Sequence, residues 1–545
     1  MPTTAGPGPR PRRPGRAAIA YAALLRGAPQ GAAGARTGNG VGGVATGASE
    51  TGPGTSAAGP AEQREFAAGL RALLEWLQAP VGGTRNEVVA LVQDTLGPAG
   101  LERSVVARQL PLFEQVNLQA ALDAWTRADG RGVEVRGVVL PPHFGGLDLQ
   151  QLVTGEALPP VRLSAPSVVD LPDGPGSTRA CLKLALLVVT DATGRYVLLV
   201  QGPNEHEPRL TVEVAGLPVA QAQAVLAELD RLRRELNVYR GRLVEVTPTP
   251  MGGVELTFLE PPGTVREDVV LPEPVLDRIE RHALGVAEHR DALAAAGQHL
   301  KRGLLLYGPP GTGKTHTVRY LLGRMSGYTR LLLTGRSLGA VGSMAELARD
   351  LQPAVVVLED VDLVAADRSF GPGGSPVLFD LLDAMDGAAP DADLLFVLTT
   401  NRADLLEPAL AARPGRVDVA VEVDLPDAAA RRRLLDLYGS GVPLRVTEAD
   451  LTAAVERSDG VTASFLRELL RRAVLEALQE QGRLTAVTGR HLARALDDLL
   501  DSTQQVTRTL LGVGVDPATL PAGVPEPVPG VAWTSVRRFR GGYRP

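Results

Sequence analysis

The spacing of apolar residues along the chain first indicates helices. Residues 1–60 are rich in Gly, Pro, Ala and Arg and show no apolar period. From residue 61 apolar side chains recur on one helical face, and two further stretches with helical spacing follow at 88–96 and 116–125. This pattern predicts a disordered, low-complexity tail over 1–60 and a helical region over 61–130.

From Gly132 the apolar period shortens to that of strands. An amphipathic helix over 218–239 interrupts the strands, and the turn sequence Pro250-Met251-Gly252-Gly253 joins the last two of them in a predicted hairpin. The predicted strands are 133–140, 182–189, 196–200, 210–214, 242–247 and 254–259. Residues 131–262 are therefore predicted to form an α+β domain.

Beyond Pro261-Pro262-Gly263 strands and helices alternate, which predicts a parallel sheet with helices on both faces over 263–426. Four helices without an intervening strand predict a small all-α lid over 427–501, with Asp427 as the N-cap of the first. A Pro- and Gly-rich tail occupies 502–545. The alternating elements are 303–307, 315–325, 329–333, 344–351, 354–358, 376–385 and 394–398.

The composition of the chain bears on its binding partners and on its cellular compartment. The 545 residues carry a net charge of −6, so charge alone does not indicate binding to nucleic acid or to an anionic membrane. The single cysteine, Cys181, is inconsistent with an internal disulfide framework and fits a reducing compartment, so we expect a cytoplasmic protein. No apolar run approaches the roughly 20 residues that span a bilayer. The Arg-, Ala- and Gly-rich usage is typical of a GC-rich bacterial genome.

The N-terminal residues resemble a targeting peptide only in outline. Residues 1–49 contain no Asp or Glu, and four arginines precede a short apolar stretch at 17–25. Arg26 ends that stretch, and Pro and Gly dominate both flanks. A disordered tail is the preferred interpretation, because this composition buries too little apolar surface to offset chain entropy.

Lysine is almost absent from the chain, and one of the three lysines lies in a phosphate-binding motif. Of the 56 Lys and Arg residues only Lys183, Lys301 and Lys314 are lysine. Lys314 belongs to Gly308-Pro309-Pro310-Gly311-Thr312-Gly313-Lys314-Thr315, which follows an apolar strand and precedes a helix. In such a P-loop the glycine backbone surrounds phosphate oxygens, the lysine contacts the β- and γ-phosphates, and the threonine hydroxyl ligates Mg²⁺.

Two adjacent carboxylates end the apolar strand at 354–358. Glu359 and Asp360 lie at its carboxyl end, the edge of an open α/β sheet where ligands bind. One carboxylate can hold Mg²⁺ while the next orients the attacking water. A solvated acidic turn is the alternative, which the upstream P-loop disfavours.

With these motifs the chain resembles the AAA family of P-loop ATPases over about residues 265–480, and in particular its valosin-containing-protein-like and Rieske-translocase-like members. The resemblance is strongest in Thr399-Thr400-Asn401-Arg402 and in the block at 407–418, which is similar to the family's second region of homology. It implies Mg²⁺-dependent ATP hydrolysis by a homo-hexameric ring. It also implies a protein client, which residues 61–262 would recognise.

The resemblance also implies the roles of individual residues. Asn401 would position the lytic water, and Arg413 and Arg416 would be arginine fingers that reach the γ-phosphate bound by a neighbouring subunit. Asp360 would orient the water, while Glu359 and Thr315 would support the magnesium ion. Besides residues 308–315, the nucleotide would contact His316, Asp268 and Val269 in an entry strand over 268–271, and Gly460 and Ala463 of the lid segment 459–463.

Two features depart from the family's usual pattern. The usual order of the paired carboxylates is Asp then Glu, whereas this chain has Glu359 then Asp360, as the Rieske-translocase subfamily does. The loop at 336–342 lacks the aromatic residue with which threading members grip an unfolded chain, and Val341 is the nearest apolar candidate. The exact ring stoichiometry and a threading mechanism are not predicted by the sequence.

Two functions therefore remain open. The first is a ring-forming ATPase that remodels, unfolds or disassembles a protein client. The second is a nucleotide-gated assembly scaffold with little turnover, which the carboxylate order and the missing aromatic favour. No H-E-x-x-H occurs, although His206-Glu207 begins such a pattern, so a zinc protease is not expected. The scattered His282, His289 and His299 do not predict a metal site.

Overall fold

The computed structural model describes eight stretches of the chain. They are residues 86–141, 146–155, 161–204, 208–249, 253–365, 376–387, 391–402 and 416–501. The predicted tails at 1–60 and 502–545, the first predicted helix, His206-Glu207 and Arg413 lie outside these residues.

The first part of the described chain is an antiparallel sheet with helices on both faces. The sheet order is β1-β7-β6-β5-β2-β3, and β4 pairs with the first half of the long β5. The strands are β1 (Val106–Leu110), β2 (Gly132–Val139), β3 (Arg162–Ser164), β4 (Ser167–Gly174), β5 (Ser177–Asp191), β6 (Gly194–Gln201) and β7 (Leu210–Ala215). The helices are α1 (Glu87–Leu101), α2 (Gln115–Thr126), α3 (Leu149–Thr154) and α4 (Val219–Glu235).

Strand β6 explains why this sheet has helices on both faces. Tyr196 and Leu198 point into a core with α2 and α4, whereas Val197 and Leu199 point into a core with α1 and α3. Because alternate residues of a strand face opposite sides, a continuous apolar strand requires cover on both. Strand β1 pairs with β7 in the same sheet. Residues 86–130 and 131–215 therefore form one layered body without a boundary at 130/131, which we call the N-terminal body.

The second sheet contains the predicted parallel strands and, in addition, the predicted hairpin. Its order is β14-β10-β13-β12-β11-β8-β9, and every neighbouring pair is parallel except β8 and β9. The strands are β8 (Leu243–Pro248), β9 (Val254–Phe258), β10 (Arg302–Tyr307), β11 (Thr329–Thr334), β12 (Ala354–Glu359), β13 (Leu394–Thr400) and β14 (Val419–Glu422).

Helices cover both faces of this sheet, as the alternation of elements predicts. Val356 and Leu358 of β12 face a core with α9 and α11, while Val355 and Val357 face one with α5 and α8. The helices are α5 (Glu273–Glu280), α6 (Val286–Glu288), α7 (Arg290–Ala295), α8 (Lys314–Arg324), α9 (Val341–Asp350), α10 (Asp362–Ala365) and α11 (Pro376–Asp386). A π-helical turn, Arg281–Gly285, joins α5 to α6. The predicted α/β fold is confirmed.

The C-terminal part is the predicted helical lid. Its helices are α12 (Ala428–Gly439), α13 (Glu448–Arg457), α14 (Ala463–Gln481) and α15 (Gly489–Leu500). Asp427 caps α12 by accepting a hydrogen bond from the backbone N–H of Ala430 at 2.7 Å. The prediction of a purely helical lid misses one short parallel strand pair, β15 (Leu444–Arg445) with β16 (Val487–Thr488). Two residues per strand are too few to produce an apolar period.

The prediction of an entry strand over residues 268–271 is wrong. The residues Arg266–Asp268 form a 3-10 turn, and the segment after it has no strand partner among the described residues. The Asp268 carboxylate accepts a hydrogen bond from the backbone N–H of Val265 at 3.0 Å. This local side-chain bond to the backbone favours a turn over a ladder of inter-strand bonds.

The hairpin β8–β9 joins the N-terminal body to the second sheet. Val244 and Val246 of β8 share one buried core with Leu331 and Leu333 of β11, and Val116 and Cys181 of the N-terminal body belong to the same core. The Tyr239 hydroxyl donates to the backbone oxygen of Phe113 at 2.9 Å, and its ring stacks on Phe258. Hence a boundary at 262/263 would separate two strands from their own sheet.

A truncation tests this integration of the hairpin. Removing residues 86–259 from a chain of 86–501 exposes the edge of β11 and removes Val244, Val246 and Leu256 from the shared core. Each buried aliphatic side chain contributes about 1.5–3 kcal/mol, so we expect a chain of 260–501 to melt well below one of 86–501, or to aggregate. Thermal unfolding followed by circular dichroism measures this. Equal melting temperatures would show that the hairpin is dispensable for the sheet.

Candidate nucleotide-binding site

The loop between β10 and α8 has the backbone conformation of a phosphate-binding loop. Gly308, Gly311 and Gly313 have φ values of 141°, 78° and 111°, in the region that side chains disfavour. A Cβ atom on Gly308 would lie 2.3 Å from the backbone oxygen of Val423. Within the described residues no side chain caps the N-terminus of α8, so its first N–H groups are available to an anion.

Lys314 is buried and folded back onto this loop. Its ammonium donates to the backbone oxygens of Gly308 and Pro309, both at 2.8 Å. Burial lowers the pKa of Lys314 to about 8, although the nearby charges of Asp360 and Asp362 oppose the shift. A buried ammonium held only by neutral carbonyl oxygens is electrostatically suited to a phosphate.

Glu359 ends β12 opposite Thr315 and fits a magnesium site. The Thr315 side chain lies near enough to this carboxylate to oppose the rise in its pKa. The Oε1 atom of Glu359 is buried and has no hydrogen-bond partner among the residues that the structure describes. Burial is the main cause that raises the pKa of Glu359, and the neighbouring Asp360 adds to the shift. A buried carboxylate oxygen without a donor, beside a hydroxyl, is a suitable environment for a hard divalent cation and its water shell. Glu359 and Thr315 are therefore the residues that could hold Mg²⁺.

Asp360 has a strained backbone and contacts Asn401. It is the one non-glycine residue with positive φ among the described residues, at 53°. Its N–H donates to Thr399 Oγ1 at 3.0 Å, and Asn401 Nδ2 donates to its Oδ1 at 3.4 Å. Strain of this kind concentrates at functional sites. The structure thus brings together two predicted residues from different strands.

The sequence interpretation missed Asp362, which lies in the same turn. It is 9% exposed, and its Oδ1 accepts hydrogen bonds from Thr400 Oγ1 and from the backbone N–H of Asn401, both at 3.0 Å. The signal in the sequence was a third carboxylate within four residues, Glu359-Asp360-Val361-Asp362. Nothing local in that pattern indicates the contact with the end of β13.

The lid closes the other side of the pocket. Ser464 at the start of α14 donates its N–H to the backbone oxygen of Gly311 at 3.1 Å. The predicted residues that line the pocket are Asp268, Pro310, Gly311, Gly313, Lys314, Thr315, His316, Asp360, Asn401 and Ala463. Gly308, Pro309, Thr312 and Glu359 lie outside this lining. The lid adds residues that the sequence interpretation did not select, namely Leu437, Tyr438, Val442, Ser464, Arg467, Leu470, Arg471 and Val474.

Two predicted contact residues lie elsewhere in the structure. Val269 is 2% exposed and packs in the core under α5 and α8, because the 3-10 turn directs it inward. Gly460 adopts a left-handed conformation, with φ 73°, in the turn before α14 and does not line the pocket. Both can shape the pocket only through the backbone.

Of the two predicted arginine fingers, only Arg416 lies within the residues that the structure describes. It is 7% exposed and forms an ion pair with Asp386 at the end of α11, with Nη2 and Oδ2 2.7 Å apart. It does not line the pocket of its own chain. A contact with a neighbouring subunit would therefore require Arg416 to leave or share Asp386.

The remaining candidates have structural contacts. His282 contacts the backbone oxygen of Gly303 at 3.1 Å, and His299 contacts that of Lys301. Burial raises the pKa of the Cys181 thiol to about 11, so it is an unreactive core residue. In the parts of the chain that the structure describes, no three or more His, Cys, Asp or Glu side chains come together as a metal-binding group. Within the same residues no helix has the length and hydropathy of a membrane span.

Comparison with known proteins identifies this domain. Residues 304–425 match the model of the family described as "ATPase family associated with various cellular activities (AAA)". The chain carries an AAA ATPase domain. The match covers both the glycine loop and the Glu359–Asp360 turn.

Curated relatives include the ATP-dependent zinc metalloprotease FtsH of Mycobacterium tuberculosis, 33% identical over 229 residues, which are 40% of this chain and 30% of the relative. FtsH of Thermus thermophilus is 33% identical over 218 residues, 37% of this chain and 34% of the relative. This chain thus spans about a third of the length of the relatives it matches. A solved structure of the FIGL-1 AAA domain is 22% identical, with TM-score 0.38, and covers 46% of this chain and 91% of that one.

The scarcity of lysine leads to a test at Lys314. Lys314→Ala removes the buried ammonium, so we expect ATP affinity to fall about 10- to 100-fold, the range for one charged hydrogen bond. Lys314→Arg should also bind poorly, because the guanidinium fork does not fit where a compact ammonium is enclosed. Equilibrium binding of a fluorescent ATP analogue measures both. Lys183→Ala is the matched control, since Lys183 is exposed. Normal binding by Lys314→Arg would contradict the steric argument.

The two carboxylates should respond differently to neutralisation. Asp360→Asn should bind ATP and Mg²⁺ nearly normally but turn over about 100-fold more slowly or worse, the usual effect of losing a general base. Glu359→Gln should first raise the Mg²⁺ concentration needed for half-maximal activity, because its buried oxygen lies beside Thr315. Mg²⁺ titrations of turnover and of ATP affinity for both variants measure this. A Glu359→Gln chain that traps ATP while Asp360→Asn turns over freely would reverse the assignment.

Proposed function

We propose that the chain is a Mg²⁺-dependent ATPase that works as a ring and remodels or disassembles a protein client. One observation carries the proposal. A glycine loop with a buried lysine lies beside Glu359, whose buried oxygen has no donor, and beside the Asp360–Asn401 pair. This combination supplies phosphate binding, metal support and water orientation in one pocket.

Each residue has a defined task in the proposed reaction. Lys314 swings from its carbonyl contacts to the β- and γ-phosphates, and the N-terminus of α8 binds phosphate oxygens. Bound Mg²⁺ would neutralise the phosphate charge, with Thr315 and Glu359 holding it. Asp360 accepts a hydrogen bond from the attacking water and orients it, and Asn401 fixes the Asp360 carboxylate. His316, Asp268 and the lid residues Ala463 and Tyr438 enclose the rest of the nucleotide.

The ring is supported by the family resemblance. By that resemblance Arg413 and Arg416 would act on the nucleotide of a neighbouring subunit. Arg416 does not line the pocket of its own chain, and it would have to leave or share Asp386 to reach a neighbour. A homo-hexamer follows from the family resemblance.

The client would be engaged by the N-terminal body rather than by a gripping loop. Leu338, which lies between β11 and α9, and Val341, the first residue of α9, are 2% and 0% exposed and belong to the core that contains the β8 side chains. A loop whose apolar side chains are buried has none left with which to hold an unfolded chain. The N-terminal body shares this core, so movement of β11 and α9 would be transmitted to it directly. The single cysteine supports action in a reducing compartment such as the bacterial cytoplasm.

A nucleotide-gated scaffold is the second candidate. The short Asp360 side chain and the burial of Leu338 and Val341 favour it, because both reduce the capacity for rapid, force-generating turnover. Steady-state phosphate release by the purified full chain separates the two functions. Turnover that is Mg²⁺-dependent and abolished in Lys314→Ala supports the ATPase. Tight ATP binding without release, together with nucleotide-dependent assembly, supports the scaffold.

Mixing two inactive chains tests the ring. Arg413→Ala lacks a finger and Lys314→Ala lacks a working P-loop, so mixed rings contain some interfaces with both groups intact. We expect mixing to restore measurable turnover, since fingers contribute about 10³- to 10⁵-fold in other P-loop enzymes. Phosphate release by the mixture, compared with each parent, measures it. If subunits demonstrably exchange and the mixture stays inactive, Arg413 does not act across the interface.

A further inference from the structure

A buried carboxylate outside the predicted set connects the ends of two strands at the nucleotide site. Asp362 begins the short helix α10, two residues after Asp360. One of its oxygens accepts two hydrogen bonds from the end of β13, one from the Thr400 hydroxyl and one from the Asn401 backbone, each at 3.0 Å. The side chain is almost fully enclosed. Its geometry is therefore fixed by the fold rather than by solvent.

These bonds belong to a closed set of contacts around Asp360. The N–H of Asp360 donates to Thr399 Oγ1, and the N–H of Val361 donates to the backbone oxygen of Thr399, both at 3.0 Å. The Asn401 side chain then donates to the Asp360 carboxylate at 3.4 Å. Asp362 is the one member of this set that holds the backbone of Asn401 by a side chain. Displacing its oxygen would displace Asn401, and with it the Asp360 carboxylate.

We propose that Asp362 is a positioning residue, which holds Asn401 where it can orient the Asp360 carboxylate. This inference rests on the proposed ATPase function. Asp362 is not among the residues that line the nucleotide pocket. Its contribution is to hydrolysis and not to nucleotide binding, because Lys314, the P-loop and the lid bind the nucleotide without it.

Two conservative variants of Asp362 separate the effect of the position of its oxygen from the effect of its negative charge. Asp362→Asn keeps the oxygen that accepts both hydrogen bonds and loses the negative charge. Asp362→Glu keeps the charge and moves the oxygen outward by one methylene. If the oxygen position matters, the Asn variant works and the Glu variant does not; if the charge near Lys314 matters, the order reverses. Both variants retain a polar side chain of similar volume, so folding is preserved better than with Ala.

The experiment measures kcat and KM for ATP by phosphate release, using the full chain. We expect Asp362→Asn to keep kcat within about 3-fold of wild type. For Asp362→Glu we expect kcat to fall about 10- to 100-fold while KM changes little, since misplacement by about 1 Å at a reacting centre has effects of that size. Asp350→Asn and Asp350→Glu are the matched controls, because Asp350 lies at the end of α9 in an ion pair with Arg234. Thermal melting confirms that each variant is folded.

Three outcomes overturn the inference. An active Glu variant with an inactive Asn variant would mean that charge is decisive. Wild-type kcat in both would mean that the site does not depend on Asp362. A parallel rise in KM would assign Asp362 to nucleotide binding. A wild-type chain that itself releases no phosphate overturns the proposed ATPase function and this inference with it, which distinguishes the two failures.

Discussion

The site depends on the parallel pairing of three neighbouring strands. Strand β13 lies between β10 and β12, with Tyr307 opposite Thr400 and Leu358 opposite Leu398. Parallel strands end at the same edge of a sheet, so the glycine loop, the Glu359–Asp360 turn and Asn401 emerge side by side. A shift of β13 by one residue would turn Asn401 to the opposite face. The apolar side chains that bury both faces of β12 and β13 fix the register and so assemble the pocket.

The same sheet also explains why the N-terminal body is not an independent module. Strand β8 extends the sheet beside β11, and the core beneath it continues into the N-terminal body through Val116 and Cys181. Arg240 adds a hydrogen bond to the backbone oxygen of Asp350 at the end of α9, at 3.1 Å. Packed side chains therefore connect β11 and α9 to the N-terminal body. Because protein interiors have low compressibility, a displacement of β11 or α9 would be transmitted through this core.

Local sequence patterns predicted the elements whose side chains are regularly buried. They failed for contacts between residues far apart in the sequence and for strands with many exposed residues. The P-loop, the alternation of elements and the lid helices follow from periodicity and from Gly, Pro and Asp signals. Strand β4 was missed because half of its residues are exposed and polar residues interrupt the apolar pattern. The pairing of β8 with β11 joins residues about 90 positions apart, and the Arg416–Asp386 ion pair is likewise non-local. No local sequence pattern predicts either of these two contacts. Glu359 and Asp360 could be selected as candidates from the sequence, whereas the contact of Asp362 with the end of β13 is seen only in the structure.

The backbone offers a physical reason for the order of the paired carboxylates. Glu359 is the last residue of β12, where an extended conformation suits a long side chain that reaches back to Thr315. Asp360 occupies the left-handed region, with φ 53°, which Asp and Asn tolerate better than longer side chains because their short polar groups bond locally. Its hydrogen bonds with Thr399 and Asn401 offset strain of about 1–3 kcal/mol. The order Glu then Asp therefore matches the two conformations, and the shorter carboxylate depends on Asn401 to hold it in position.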